Sequence, residues 1–274
     1  MATVELLEGA LIRAQLQDRH EARLYSFDVP LEIDSTNLRL LSGSPPPYGQ
    51  ADVCLAESQR AGRGRLGRTW ISPVGASVAM SVGWAFRETR RELAALGLAA
   101  GVAVARALAR VGARGVMLKW PNDIWFLDRK IGGILLESRA EADGPAFVVI
   151  GVGVNVTLGA EARAEMEAAG VRAAALAEAC TMPPSRNQVA GAILDELLGM
   201  LVQFEQEGLA PFLAPWAGLD ALQGRASRVW QGENSIAGYA RGVDAEGALL
   251  LEVDGQVRRF NSGEVSLRLE GEAA

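Results

Sequence analysis

The sequence contains one histidine and two cysteines in 274 residues. The histidine, His20, lies in a charged N-terminal segment. A histidine base, a Ser–His–Asp arrangement or a histidine-ligated metal is therefore excluded as the centre of the chemistry. Cys54 and Cys180 lie far apart and form neither a metal nor a redox spacing, so a reducing compartment is expected. No apolar run is long and uninterrupted enough to suggest a membrane span. The N-terminus lacks the basic start and apolar core of a signal peptide. These absences predict a soluble, cytoplasmic protein with no membrane partner. A net charge of −6 argues against a general nucleic-acid binder, although a local basic loop can sit on an acidic protein.

What is present starts with size. At 274 residues and 49% hydrophobic content, the chain can build one large domain and a small one. Its most distinctive stretch is AGRGRLGRTW, residues 61–70. Gly62, Gly64 and Gly67 let the backbone turn tightly and approach a ligand. Arg63, Arg65 and Arg68 supply planar donor forks suited to carboxylate and phosphate. No acid in the stretch neutralises them. It reads as a mobile anion-binding loop.

Residues 4–17 read as one amphipathic helix, with Leu6, Leu7, Ala10, Leu11 and Ala14 on one face. A DNA-reading helix-turn-helix needs about three packed helices, more than the segment before Asp34 holds. Leu24 to Ile33 reads as a strand interrupted by Pro30, and Asp34 or Ser35 caps the next helix. Such a start is usually an ordinary cap, but it also presents free N–H groups to an anion. Val53–Glu57 and Val78–Trp84 read as buried strands. Thr89 and Glu92 form a capping box for a helix to about Val111, with Gly112 beyond it. Gly97 and Gly101 inside it cost roughly 1 kcal/mol each relative to Ala; close approach of another element's backbone is the expected reason.

Residues 116–138 read as strand, turn (Pro121, Asn122, Asp123), strand, polar turn and strand. Lys119 and Lys130 border the apolar strands. Taken singly, each reads as an ordinary snorkelling lysine. Two lysines with PND and IGG in one hairpin point instead to a site. Ala146–Val156 is an apolar strand interrupted by Gly151 and Gly153 and closed by Asn155. Glycine inside a strand marks a bulge or the approach of a ligand. Residues 160–180 read as helical. Ser185 and Gln188 cap a core helix from about Arg186 to Glu207. After Trp216, five short strands divided by turns predict a small all-β barrel of about fifty residues.

Together, DSTN at 34–37, ESQRAGRGRLGRTW at 57–70, KWPNDIWFLDRKIGGILLE at 119–137 and GVGVNV at 151–156 resemble the motifs of bacterial biotin protein ligases. GALLLEVDG at 247–255 and GEVSLR at 263–268 resemble the family's C-terminal SH3-like domain. The resemblance implies an α+β fold: a mixed β-sheet flanked by helices, class II synthetase-like, with a small C-terminal SH3-like β-barrel. It divides the chain into an N-terminal helical segment (1–22), a catalytic domain (23–220) and the SH3-like domain (221–274). It also implies two half-reactions. Biotin and ATP, with Mg²⁺, give biotinyl-5′-AMP and pyrophosphate. A lysine of a biotin carboxyl carrier protein then takes the biotinyl group.

Matched to the family pattern, Ser35, Thr36, Asn37, Gln59 and Gly133 should lie around biotin. Arg63, Gly64 and Arg65 should form the loop over biotin and the adenylate phosphate. Lys130 should stabilise charge as the adenylate forms. Arg68 and Lys119 should face ATP phosphates, Trp70 the adenine, and Asn122 and Asn155 the nucleotide. Asp123 is the candidate that receives the carrier lysine. No protein metal ligand is implied. The resemblance is to the ligase-only type, so no specific DNA binding is expected; the sequence leaves the oligomeric state open, with a homodimer, as in related ligases, one option. Leu66 stands where the family often has a basic residue. The competing readings are a lipoate–protein ligase, a biotin-responsive DNA-binding regulator and a homologue that only binds nucleotide. Biotin- versus lipoate-dependent pyrophosphate release separates the first, and operator binding the second.

Overall fold

The structure, a computed structural model, describes residues 5–87, 91–139, 146–262 and 265–269. Two short helices open it, α1 (Gly9–Arg13) and α2 (Asp18–Glu21), in place of the single helix predicted over 4–17. Polar anchors break the period. The Leu7 N–H donates to Glu57, and the Glu8 N–H donates to Asn187 Oδ1 at 2.8 Å. The Gln17 N–H donates to Asp195 Oδ1 at 3.0 Å. Leu7, Ile12 and His20 are buried, whereas Leu6 and Leu11 of the predicted apolar face are exposed.

The central sheet comprises β1 (Leu24–Asp28), β3 (Ala51–Ala56), β5 (Ser77–Ala85), β6 (Val116–Lys119), β7 (Asp123–Phe126), β8 (Arg129–Arg139) and β9 (Phe147–Asn155). Their spatial order is β1-β3-β5-β9-β8-β7-β6, with β1 and β3 parallel and the other neighbours antiparallel. A separate parallel bridge joins β2 (Glu32–Ile33) to β4 (Ser58–Gln59). It sets the start of α3 (Thr36–Leu41), which follows β2, beside the Gly/Arg loop, which follows β4.

Alternation along β9 sorts the two faces. Phe147 and Val149 cluster with Leu40 of α3. Val148, Ile150, Val152 and Val154 join the main core with α4 (Leu96–Arg110) and α6 (Arg186–Glu207). The mixed sheet is thus flanked by helices, as expected. The segment Leu93–Arg110 is long and apolar enough to cross a membrane by length and composition, contrary to the sequence reading. Its 72% burial makes it the central core helix here. The expected cap residue Thr89 lies outside the described residues. Gly97 and Gly101 accommodate side-chain tips rather than backbone: an added Cβ would lie 3.0 Å from Leu136 Cδ1 and 3.3 Å from Leu118 Cδ1, respectively.

The region 160–180 is only partly helical. After α5 (Ala160–Ala168), Gly170 turns the chain at φ 76°, and the next residues run beside Lys130. The helix α7 (Ala210–Leu219), which the sequence reading does not include, forms despite Pro211 and Pro215. Pro211 occupies the first turn, where no N–H partner is needed.

The five predicted C-terminal strands are β10 (Ala226–Gln231), β11 (Asn234–Val243), β12 (Leu249–Val253), β13 (Gln256–Phe260) and β14 (Val265–Leu269). They form an antiparallel sheet in the order β13-β12-β11-β10-β14. Among the described residues, β13 and β14 remain its edges, so the pairing does not close a barrel. This sheet rests on the larger body. Trp120 Nε1–H donates to the Gly247 carbonyl at 3.2 Å, and Arg225 makes a two-pronged ion pair with Asp128 at 2.7 and 2.9 Å.

Candidate active site

The start of α3 builds one wall. Ser35 is its N-cap, and its Oγ accepts from the Leu38 N–H at 3.4 Å. The next peptide N–H and the Thr36 hydroxyl both donate to Gln59 Oε1, at 2.9 and 3.2 Å. Asn37 Nδ2 donates to Glu137 Oε2 at 2.9 Å, and its Oδ1 accepts from the Ser81 hydroxyl at 2.5 Å. A Cβ at Gly151 would lie 2.3 Å from Asn37 Oδ1. The close approach that Gly151 permits in this structure is that of Asn37, and the glycine also lines the cleft that this wall borders.

The Gly/Arg loop folds over this wall as a small hairpin. Trp70 N–H donates to the Gly62 carbonyl at 2.9 Å, and Gly64 N–H to the Arg68 carbonyl at 2.7 Å. Gly62 is required by the crossing, since a Cβ there would lie 2.4 Å from Trp70 O. Leu66 and Gly67 form the tip at φ 55° and 72°. A side chain in that left-handed region costs on the order of 1–2 kcal/mol. The returning Trp70 ring crosses Gly153, whose added Cβ would fall 2.4 Å from Trp70 Cε2. Gly153 thus also accommodates the chain's own side chain. Arg63 pairs with Glu137 at 3.1 Å. Arg65 donates to Asn122 Oδ1 at 3.3 Å and to the Ser262 carbonyl in the C-terminal region. Burial lowers the Arg65 pKa, opposed by the nearby Asp123 carboxylate; a guanidinium still keeps its charge at neutral pH.

The β6–β8 meander builds the opposite wall. Lys119 is buried, with its Nζ 4.3 Å from the centre of the Trp125 ring. Asn122 is fixed by Nδ2–H donation to the Ile134 carbonyl at 2.7 Å. Lys130 Nζ lies 2.6 Å from Asp123 Oδ1. Its backbone is gripped by residues 172–174: its N–H donates to the Arg172 carbonyl at 2.7 Å, and its carbonyl accepts from the Ala174 N–H at 2.8 Å. Gly133 leaves room for the ammonium, because a Cβ would sit 3.3 Å from Lys130 Nζ. Lys119 and Lys130 are the only two lysines in the chain. Reading each one singly misses that signal.

Between the walls lies a cleft of ≈ 750 Å³, within the about 300–1,000 Å³ usual for small-ligand sites. Ser35, Thr36, Asn37, Gln59, Arg63, Gly64, Arg65, Arg68 and Trp70 line it, as do Lys119, Asn122, Asp123, Lys130, Gly133 and Asn155. Asp128, Met166, Arg172 and Leu267 also line it and escaped the sequence reading. They come from a turn, a segment read as helix and the C-terminal sheet, so no local motif marks them. Two buried lining atoms lack a hydrogen-bond partner among the described residues: Asn155 Oδ1, an acceptor, and Trp70 Nε1, a donor. Trp84 and Trp230 have similar indole nitrogens, so Asn155 is the more telling case. A buried acceptor without a partner costs about 1–3 kcal/mol. No group of three His, Cys, Asp or Glu side chains suited to a metal occurs among the described residues. His20 is held by Asp195 and does not line the cleft.

Comparison with known proteins gives a consistent result. The pattern of the Biotin/lipoate A/B protein ligase family matches residues 32–155, and that of the Biotin protein ligase C terminal domain matches residues 228–268. The Biotin--[acetyl-CoA-carboxylase] ligase of Mycobacterium tuberculosis is 34% identical over 245 residues, 87% of this chain and 88% of the relative. The Bifunctional ligase/repressor BirA of Escherichia coli is 40% identical over 265 residues, 97% of this chain and 79% of the relative. The biotin protein ligase from Aquifex aeolicus in complex with biotin and ATP superposes with a TM-score of 0.73. That match has 27% identity and covers 90% of this chain and 100% of that structure.

Proposed function

We infer the chemistry of the cleft from one premise: the chain belongs to the biotin protein ligase family. It is a biotin–[acetyl-CoA-carboxylase] ligase, which activates biotin with ATP and transfers it to a lysine of the carboxylase's carrier. The carboxylate oxygen of biotin attacks the α-phosphorus of ATP. The bond to the β-phosphate oxygen breaks, and pyrophosphate leaves. A neutral carrier amine then attacks the acyl carbon and expels AMP.

We assign Ser35, Thr36, Asn37 and Gln59 to the end of the cleft that binds the biotin head group, with Gly133 alongside. Joining two anions requires cations already in position. Arg63, Arg65 and Lys130 meet the carboxylate and α-phosphate, with Gly64 giving backbone access. Arg68 and Lys119 meet the outer phosphates. Trp70, Asn122 and Asn155 hold the nucleotide. The unpartnered Asn155 Oδ1 carries this reading, because an ATP amino group would satisfy it. Mg²⁺ accompanying ATP would supply charge screening of the phosphates, and no residue of the chain is assigned to hold it. Asp123 takes the proton of the carrier lysine, once substrate anions draw Lys130 away from it.

The same reading divides the chain at residues 22 and 220, and treats the C-terminal sheet as the SH3-like domain. A homodimer, the absence of specific DNA binding and a cytoplasmic location belong to this proposal. They are tested by sedimentation, operator binding and fractionation. The decisive assay is ATP–pyrophosphate exchange. Biotin, and not lipoate, should support it in the presence of MgATP. The reverse preference overturns the reading.

A further inference from the structure

Two residues at the start of the Gly/Arg loop segment are joined through the protein interior. Gln59 stands just before the loop and Arg63 within it, and one chain of polar contacts connects them. Gln59 Oε1 accepts from the Thr36 hydroxyl at 3.2 Å. Thr36 Oγ1 lies 2.7 Å from the Ser81 hydroxyl, which also reaches Asn37 Oδ1 at 2.5 Å. Asn37 Nδ2 donates to one oxygen of Glu137 at 2.9 Å. Arg63 Nη2 lies 3.1 Å from the other.

We propose that Ser81 and Glu137 are positioning residues that couple an occupied biotin head-group site to closure of the Gly/Arg loop. This rests on the assignment of Thr36 and Gln59 to that site.

Proton counting carries the argument. Ser81 is fully buried and has one hydroxyl proton for two acceptors. The proton of Thr36 is spent on Gln59. Ser81 therefore divides its proton between Thr36 and Asn37. A ligand group that donates to Thr36 or Gln59 releases the Ser81 proton towards Asn37 Oδ1. Asn37 cannot answer by flipping its amide, because its nitrogen is held by Glu137 and its oxygen fits against Gly151. A more polarised Asn37 amide donates more strongly to Glu137, and neighbouring bonds in such a chain reinforce one another. Glu137 and the Arg63 it holds are then fixed together. Neither Ser81 nor Glu137 lines the cleft, so their effect passes through Asn37 and Arg63.

The test uses the full-length enzyme and four measurements: biotin affinity by calorimetry, kcat and KM for pyrophosphate exchange, melting temperature, and tryptic cleavage at Arg63–Arg68 with and without biotin. Wild-type enzyme should bind biotin and gain protection in the loop. Glu137→Gln keeps an acceptor for Asn37 but loses the charge that holds Arg63. It should weaken biotin binding by up to about fivefold, lower kcat at saturating biotin no further than Arg63→Ala does, and abolish biotin-induced protection. Glu137→Asp should recover part of both. Ser81→Ala should weaken binding in the same direction without removing the Arg63 pair. Arg63→Ala added to Glu137→Gln should lose less than the sum of the two single losses, because the two residues share one ion pair.

Unchanged affinity and protection in Glu137→Gln overturn the coupling, as do fully additive losses in the double variant. If Glu137→Gln folds poorly, Ser81→Ala and Arg63→Ala make the same distinction through the protection assay. A wild-type enzyme that binds no biotin overturns the site assignment itself.

Discussion

Two buried polar clusters in this protein differ in how completely their groups are paired. Behind α6, the Asp195 carboxylate accepts from the Gln17 N–H at 3.0 Å, the Gln17 amide at 3.1 Å and Arg110 at 2.8 Å, and it meets His20 Nδ1 at 2.6 Å. At the cleft, Asn155 offers Nδ2 to the Ala174 carbonyl at 3.4 Å and leaves Oδ1 without a partner. The first cluster spends its polar groups on the fold, tying α2 and the end of α4 to α6. The second keeps an acceptor in reserve. A fully paired network needs nothing from solution, whereas an unpaired buried atom gains most from a ligand that completes it.

The largest expected effect breaks the paired cluster. Asp195→Ala strands His20, Gln17 and Arg110, and should cost about 3 kcal/mol of stability. Denaturant midpoints check this, with biotin affinity in the surviving folded fraction unchanged. Burial would raise the Asp195 pKa, but the hydrogen bonds from Gln17, Arg110 and His20 outweigh it and hold it at about 2. A depressed carboxylate adds stability that is present above its ordinary value near pH 4 and is lost as pH falls towards 2. The wild-type stability curve should therefore drop more steeply across that window than that of the variant.

Next comes the cleft itself. Lys130→Ala should reduce kcat for adenylate formation by about 10²–10³-fold, the usual loss for one preorganised charge stabiliser. The Lys130–Asp123 pair is partly exposed, so stability should change by less than about 1 kcal/mol. A normal kcat with only weaker biotin binding would contradict the role given to Lys130.

Asp220 is a third kind of buried polar group: a carboxylate with a local N–H donor. Burial pushes its pKa up to about 6, against the hydrogen bond from the Leu222 N–H. The folded state then holds this proton more tightly than the unfolded one, so stability falls as pH rises from about 4 to 6. Asp220→Asn keeps the acceptor for Leu222 and removes the charge. It should gain about 1–2 kcal/mol at pH 7 and almost nothing at pH 3, read from unfolding at the two pH values.

The smallest expected effect sharpens the comparison. Asn155→Ala should raise the KM for ATP about five- to tenfold while altering stability by less than about 1 kcal/mol. A stability loss as large as that of Asp195→Ala would show that the Asn155 amide serves the fold instead.

Much of the cleft was legible in the sequence because its parts sit in contiguous motifs with local rules. The Gly/Arg hairpin requires Gly62 at its crossing, α3 requires a cap at Ser35, and the strand–turn–strand unit carries both lysines. What escaped local reading depends on partners distant in the chain. The 4–17 helix failed because Leu7, Glu8 and Gln17 give their N–H groups to Glu57, Asn187 and Asp195. The strand glycines were legible as sites of close approach, but not what approaches: the Asn37 amide and the Trp70 ring.

By itself, the sequence determined most strands, the long core helices, the C-terminal strands and the residue types available for charge stabilisation, whereas the mixed sheet flanked by helices came from the resemblance of the motifs. The former follow from periodicity, caps, turns and the near absence of histidine. Only the tertiary structure decided which polar groups are paired and which are not. It brought Ser81 and Glu137 into one circuit with residues 36, 37, 59 and 63, and set Arg225 against Asp128. Hydrogen-bond satisfaction is a property of three-dimensional neighbours, and sequence periodicity carries no information about them.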